Sequence, residues 1–153
     1  MRDEEAEDCA EAQVAPGYLA NHASRLFNRQ VDALLRPKGL SLALLGPLLL
    51  LQRHGAMLQK DLVRGSPVGQ PAMVALLDKL QAHAWITRTP DQHDRRAAHV
   101  RLTPRGRSMA AFGAKVLGEV NQSCLHGMSA SERIQLTQLL HRLIANLEGD
   151  GLQ

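Results

Sequence analysis

A chain of 153 residues with 44% apolar side chains is long enough for one domain with a buried core. Aromatics contribute only 3% and there are two cysteines, which excludes a disulfide scaffold and leaves Leu, Ala, Val and Ile to fill the core, a composition that favours helices. The net charge of +3 is unevenly held: residues 1–12 carry one Arg against six acids, whereas Arg53 to Arg107 holds ten Lys and Arg against four Asp, as expected for a polyanion partner or a solvated basic face.

In chain order, residues 1–15 are expected to form an acidic, disordered arm with little to bury. Pro16 or Gly17 opens a helix predicted to run to about Arg36, with Leu19, Leu26, Phe27, Val31, Leu34 and Leu35 near helical spacing. Lys38-Gly39 ends it. Ser41 caps a second, very apolar helix reaching about Arg53. Pro47 inside it removes a hydrogen bond and is expected to kink it. This stretch, residues 40–51, is the longest apolar run, and it falls short of the roughly 20 residues of a membrane span. With an acidic beginning, no secretory signal is read, and a soluble cytoplasmic protein is expected.

A short third helix runs from Leu58 to about Arg64 and gives way to a turn of composition GSPVG. Gln70-Pro71 opens a fourth helix with Met73, Leu76, Leu77 and Leu80 as its buried stripe. The period then changes to two short strands, residues 85–89 and 99–102, rich in β-branched side chains. The connection between them, residues 90–98, holds Asp91, Asp94, Arg95 and Arg96. Thr103-Pro104 is an N-cap followed by Pro at the first helical position. The long helix that follows is expected to bury Phe112, Val116, Leu117 and Val120. Ser129 and Glu132 form a capping box before a last helix carrying Leu136, Leu139, Leu140, Leu143, Ile144 and Leu147.

This order predicts a mainly α fold with a small β-hairpin: a winged helix-turn-helix flanked by long N- and C-terminal dimerisation helices. Those helices are apolar on more than one narrow stripe, which suggests packing against a second copy of the chain.

The segments GYLANHASRLFNRQVDALLRPKGLS and QPAMVALLDKLQAHAWITRTPDQHDRRAAHVRLTPRG resemble the MarR family of bacterial transcription regulators, from about Gly17 to Leu147. The most specific part is Asp94-Arg95-Arg96 followed at a fixed distance by VRLTPRG. The resemblance implies a MarR-type domain over residues 16–153. Its winged helix-turn-helix lobe would be residues 40–106, with dimerisation helices at 16–37 and 107–147. It implies a homodimer that binds pseudo-palindromic double-stranded DNA and represses until a small molecule or an oxidant releases it. On this reading Gln70, Pro71, Ala72, Val74 and Ala75 face the major groove. Arg96 enters a narrow minor groove, Arg95 meets phosphate, and Asp94 orients Arg96 by a bidentate pair. The alternative is that these acids and arginines simply pair on a solvated loop.

Two departures stand out. The family's recognition helix is usually Thr-rich and basic on its outward face, whereas Ala72, Val74 and Ala75 leave few groups for direct readout. Ser66-Pro67 stands where relatives tend to carry Leu-Gly, so a core anchor is missing from the turn. At the wing, His93 occupies a place where relatives often carry Arg or Glu, and it reads as an exposed bystander.

Family ligands often sit between the dimerisation helices and the DNA-binding lobe. Tyr18, His22, Arg25 and Arg29 step four, three and four residues along the first helix and share one face. They form a candidate site for an aromatic carboxylate or phenolic anion, or an ordinary solvated face. The alternative effector is an oxidant acting on Cys9 and Cys124. Cys9 lies among acids, which disfavour its thiolate, and Cys124 continues the steps of Leu117 and Val120 as a core cysteine would. No catalytic motif or metal-ligand spacing is present, so neither an enzyme nor a metal or cofactor is expected. A winged-helix protein-binding module with weak DNA affinity is the remaining rival.

Overall fold

The computed structural model describes residues 14–150. Cys9 and nearly all of the expected acidic arm lie outside the described residues. The chain forms two compact units, one ending at Val120 and one beginning at Asn121.

In the first unit, α1 (Pro16–Leu35) starts with Pro in its first turn, buries Val31 and Leu35, and leaves most of its surface exposed. A single 3₁₀ turn, Arg36–Lys38, extends it, and Gly39 closes it at φ +73°. The next helix, α2 (Leu42–His54), is capped at its first turn by Ser41 Oγ, which accepts from the Leu44 N–H. Asp32 Oδ1 accepts from the Leu42 N–H at 2.7 Å, so α1 satisfies a second free donor at the same helix start. The helix runs through Pro47 as one element, with that proline buried among Leu44, Leu45 and Leu48.

The short α3 (Gln59–Arg64) and the longer α4 (Gln70–Ala82) follow, joined by the GSPVG turn. Val68 in that turn packs against the core, which supplies an apolar anchor where Ser66-Pro67 offers none. The sheet has three strands rather than the two expected: β1 (Met57–Leu58), β2 (Ile86–Pro90) and β3 (Ala98–Leu102), antiparallel in the order β1-β3-β2. β1 has no periodicity of its own and exists by pairing Met57 with Val100 and Leu58 with His99. Both hairpin strands extend one residue further toward their connection than predicted, and Pro90 pairs with Ala98. Proline is accepted there because β2 is an edge strand. Trp85 lies before β2, not in it. Ala84, at φ +56°, turns the chain so that the Trp85 N–H donates to the Leu80 carbonyl and its ring stacks on His83.

Together α2, α3, α4 and the hairpin form a winged helix-turn-helix over a core of Leu45, Leu48, Leu62, Met73, Leu77, Leu80, Ile86 and Val100. Thr103 then starts α5 (Pro104–Cys124). Its Oγ1 accepts from the Gly106 N–H at 3.0 Å and donates to the Ala84 carbonyl at 2.7 Å. The buried line of α5 is Gly106, Ala110, Gly113, Val116 and Val120. Phe112 and Leu117, expected in the core, are only half-buried, and the Phe112 ring lies 5.6 Å from the Lys38 ammonium. The two glycines mark backbone approaches too close for a side chain. A Cβ at Gly106 would sit 1.8 Å from the Trp85 carbonyl oxygen, and one at Gly113 would sit 2.2 Å from Leu45 Cδ1.

In the second unit, α6 (Ala130–Ala145) begins with the complete capping box. Ser129 Oγ accepts from the Glu132 N–H, and Glu132 Oε2 accepts from the Ser129 N–H at 2.7 Å. Leu139, Leu140, Ile144 and Leu147 are exposed, while Leu136 and Leu143 are half-buried. Cys124, read from sequence as a core residue, is exposed. A place on a helical stripe assigns a face but does not by itself imply burial. Among the described residues no single helix is long and apolar enough to cross a membrane.

Candidate nucleic-acid interface

Burial of Met73, Leu77 and Leu80 fixes the rotation of α4. Gln70, Pro71, Ala72 and Ala75 are therefore exposed, and Val74 is half-buried. Apart from Gln70, the outward surface of the first turns offers methyl and methylene groups. Arg88 on β2 ties this helix to the wing: its Nε donates to Gln81 Oε1 at 2.6 Å, and its Nη2 donates to Asp78 Oδ1. Two acceptors on the second half of α4 thus share one planar guanidinium, which restrains the angle between helix and hairpin.

The wing connection, residues 91–97, is organised by carboxylates acting on backbone. Asp91 Oδ1 accepts from the N–H groups of His93, at 2.7 Å, and Asp94, at 3.1 Å. Asp91 Oδ2 is hydrogen-bonded to His99 Nε2 at 2.7 Å. Asp94 Oδ1 accepts from the Arg96 N–H at 2.9 Å, and the Asp91 N–H donates to the Ala97 carbonyl across the base of the loop. Asp94 therefore orients Arg96 through its backbone and not by the bidentate pair expected. A short carboxylate naturally meets an N–H two residues on. The Arg95 and Arg96 side chains are exposed, and neither forms an ion pair with a described residue.

Asp91 was not singled out by sequence reasoning, although an Asp opening a hairpin connection is a recognisable turn signal. The His93 N–H holds its carboxyl below the ordinary value of 3.8, helped by the His99 imidazole and then the Asp94 N–H. A carboxyl whose folded pKa is depressed stabilises the folded loop above its unfolded value, and that contribution is lost as pH falls through the folded value. The wing should accordingly hold its conformation at pH 3.8 and loosen only in more acidic solution. The His93 and Asp94 amide shifts in an acid titration report this, and Asp91→Ala should abolish the transition. A transition centred at or above 3.8 would contradict the assignment.

Helix and wing meet at a notch of about 180 Å³ whose walls include Lys60, Gln70, Asp94 and Arg96. A neighbouring cleft of about 280 Å³ is lined by Gln59, Arg88, Arg95 and Arg96, among others. Gln70 and Arg96 both line the notch. The α1 stripe is different. Tyr18 and His22 stack with ring centroids 6.0 Å apart, but Tyr18, His22, Arg25 and Arg29 are all exposed and line neither cleft.

A model of the MarR family matches residues 39–97. The solved transcriptional regulator PA3341 is 34% identical, with 86% of this chain aligned to 97% of that one at a TM-score of 0.72. The chain belongs to the MarR family. Among curated relatives, the HTH-type transcriptional repressor NicR of Pseudomonas putida is 26% identical over 101 residues, or 66% of this chain. The MarR-family chain described here spans 64% of the length of that relative. Its fold is shared by BpsR of Bordetella bronchiseptica, at 24% identity and a TM-score of 0.76 over 86% of this chain and 94% of that one. DNA binding by BpsR is regulated by 6-hydroxynicotinic acid.

Proposed function

We propose that this MarR-family protein is a double-stranded-DNA-binding transcription regulator, a homodimeric repressor released by a small aromatic or phenolic anion. The observation that carries the reading is the wing. Its carboxylates are engaged by backbone N–H groups, which leaves Arg95 and Arg96 exposed, and without an ion pair among the described residues, at the tip of a stiff hairpin beside the start of α4. Arg96 enters the minor groove, where a narrow A·T-rich stretch concentrates negative potential, and Arg95 meets phosphate. Gln70 bonds an adenine edge while Ala72, Val74 and Ala75 pack on thymine methyls from the major groove. With so few polar groups on α4, sequence-dependent duplex shape carries much of the specificity.

Exposed leucines support the dimer: Leu19, Leu26 and Leu34 on α1, and Leu139 and Leu140 on α6, are apolar surface that a second copy would cover. On this reading residues 40–106 form the DNA-binding lobe, and 16–37 with 107–147 form the dimerisation helices. Two lobes related by a two-fold would meet half-sites about one helical turn apart. The regulation of BpsR by an aromatic acid supports the same class of effector here, and action on DNA places the protein in the cytoplasm.

Selection from a random duplex library tests the proposal, with the Arg95→Ala/Arg96→Ala protein in parallel. A pseudo-palindrome recovered by the wild type and lost or blurred in the double variant is the expected result. No enrichment by the wild type would leave a protein-binding module as the better reading.

A further inference from the structure

The connection between β2 and β3 is longer than a tight hairpin turn, and residues 91–97 lie outside the β ladder. A loop of that length is costly to immobilise on a ligand unless it is ordered beforehand. The ordering runs through one carboxylate that uses both oxygens. Asp91 Oδ1 accepts from the His93 and Asp94 N–H groups of the loop, while Asp91 Oδ2 meets His99 Nε2 at 2.7 Å. Asp94 in turn accepts from the Arg96 N–H at 2.9 Å. His99 is where this network meets the sheet. It belongs to β3, paired with Thr89 of β2 on one side and Leu58 of β1 on the other. Its neighbour Val100 is fully buried, so the His99 ring leaves the opposite face of the sheet. There it is 41% exposed, against 21% for the Asp91 side chain that it meets.

We infer that His99 is a positioning residue for the wing: its Nε2–H donates to Asp91 and so presets the loop that presents Arg95 and Arg96 to DNA. The Asp91 carboxyl is held below its ordinary value, first by the His93 N–H. It is therefore ionised near neutrality and can only accept, which puts the hydrogen of the 2.7 Å contact on the ring nitrogen. A carboxylate turns about its terminal torsion with little resistance. Bonded through one oxygen to a strand, it keeps the other aimed at the loop amides. Such a bond is charge-assisted and stronger than a neutral one, and the partial exposure of both groups reduces what it contributes. The benefit appears on binding, because a loop already ordered loses less entropy on the duplex. That benefit rests on the DNA-binding reading; control of the loop by His99 does not.

NMR of the full chain, with duplex binding by variants, tests the assignment. In mildly alkaline solution the His99 ring should carry its hydrogen on Nε2 and none on Nδ1. His99→Leu should reduce the protection of the His93 and Asp94 amides from solvent exchange. It should also weaken binding to a selected duplex by about three- to tenfold, a charge-assisted bond discounted for exposure. His99→Gln, whose side-chain N–H reaches the place of Nε2, should restore both the protection and the affinity. Both variants should fold, since His99 lies outside the core. The loss should act through the wing arginine: Arg96→Ala should cost less in the His99→Leu protein than in the wild type, because a loosened loop already forfeits part of that contact. A bare Nε2, unchanged protection in His99→Leu, no recovery in His99→Gln, or additive losses from His99→Leu and Arg96→Ala would each overturn the inference. Should the wild type select no duplex, the DNA-binding reading fails, and the tautomer and amide protection alone decide whether His99 sets the wing.

Discussion

Replacing Arg96 with alanine is expected to weaken binding to a selected duplex by about 1–3 kcal/mol, the cost typical of losing one base-groove arginine. The loss should fall mainly on duplexes whose flanks are A·T-rich, since a widened or G·C-containing minor groove attracts the guanidinium less. Arg95→Ala should behave differently. A phosphate contact carries no sequence information, so its loss weakens all duplexes alike and lowers the slope of log affinity against log salt by about 1. Neither substitution should disturb the wing, because it is the Arg96 backbone N–H, not its guanidinium, that Asp94 holds. Fluorescence anisotropy at several salt concentrations separates the two effects. If Arg96→Ala kept both its affinity and its flank preference, the minor-groove assignment would be lost. If Arg95→Ala changed flank preference instead, the two roles would have to be exchanged.

What the sequence made legible was chemistry that acts over three or four residues. The caps at Ser41 and Ser129 and the Thr103-Pro104 helix start follow from one hydroxyl meeting an N–H one turn on, and all three are present. Gln70 and Arg96 could be named as candidates because a helix start and a motif each point to their residues. What escaped depended on partners distant in sequence. β1 is two residues with no pattern, created by pairing with a strand more than 40 residues later. Asp91 and His99 are linked only because the hairpin returns, and Arg88 reaches Asp78 and Gln81 only because β2 lies beside α4. Periodicity assigns a face but does not say what covers it. Cys124 falls on the right stripe and is exposed, and Tyr18, His22, Arg25 and Arg29 share a face on which all four are exposed. The glycines of α5 carry the same lesson in reverse. By propensity a glycine weakens a helix by about 1 kcal/mol, and only the packing shows why Gly106 and Gly113 occupy these positions.

Those two glycines should respond very differently to alanine. At Gly106 the added methyl would meet the Trp85 carbonyl oxygen at 1.8 Å and the Trp85 carbonyl carbon at 2.8 Å. Both are backbone atoms, and that same oxygen accepts the Thr103 N–H at 3.0 Å. Relief would require α5 to move off the base of the hairpin, breaking that bond and straining the Thr103 cap, so Gly106→Ala is expected to cost about 3 kcal/mol or more. At Gly113 the nearest atoms, at 2.2 and 2.7 Å, are the methyls of Leu45, the far end of a side chain that can change rotamer within a fully buried site. Overpacking there costs about 1–3 kcal/mol, and the gain in helix propensity offsets about 1 kcal/mol of it. Urea unfolding should therefore show a much lower midpoint for Gly106→Ala than for Gly113→Ala, with slopes like that of the wild type. The same shift of α5 would loosen the base of the hairpin that bears the wing, so Gly106→Ala should also lose duplex affinity at temperatures where it remains folded, while Gly113→Ala should not. Equal midpoints for the two variants would mean that α5 can slide past Trp85 at little cost, and the close approach at Gly106 would then not be what holds the wing to the helix.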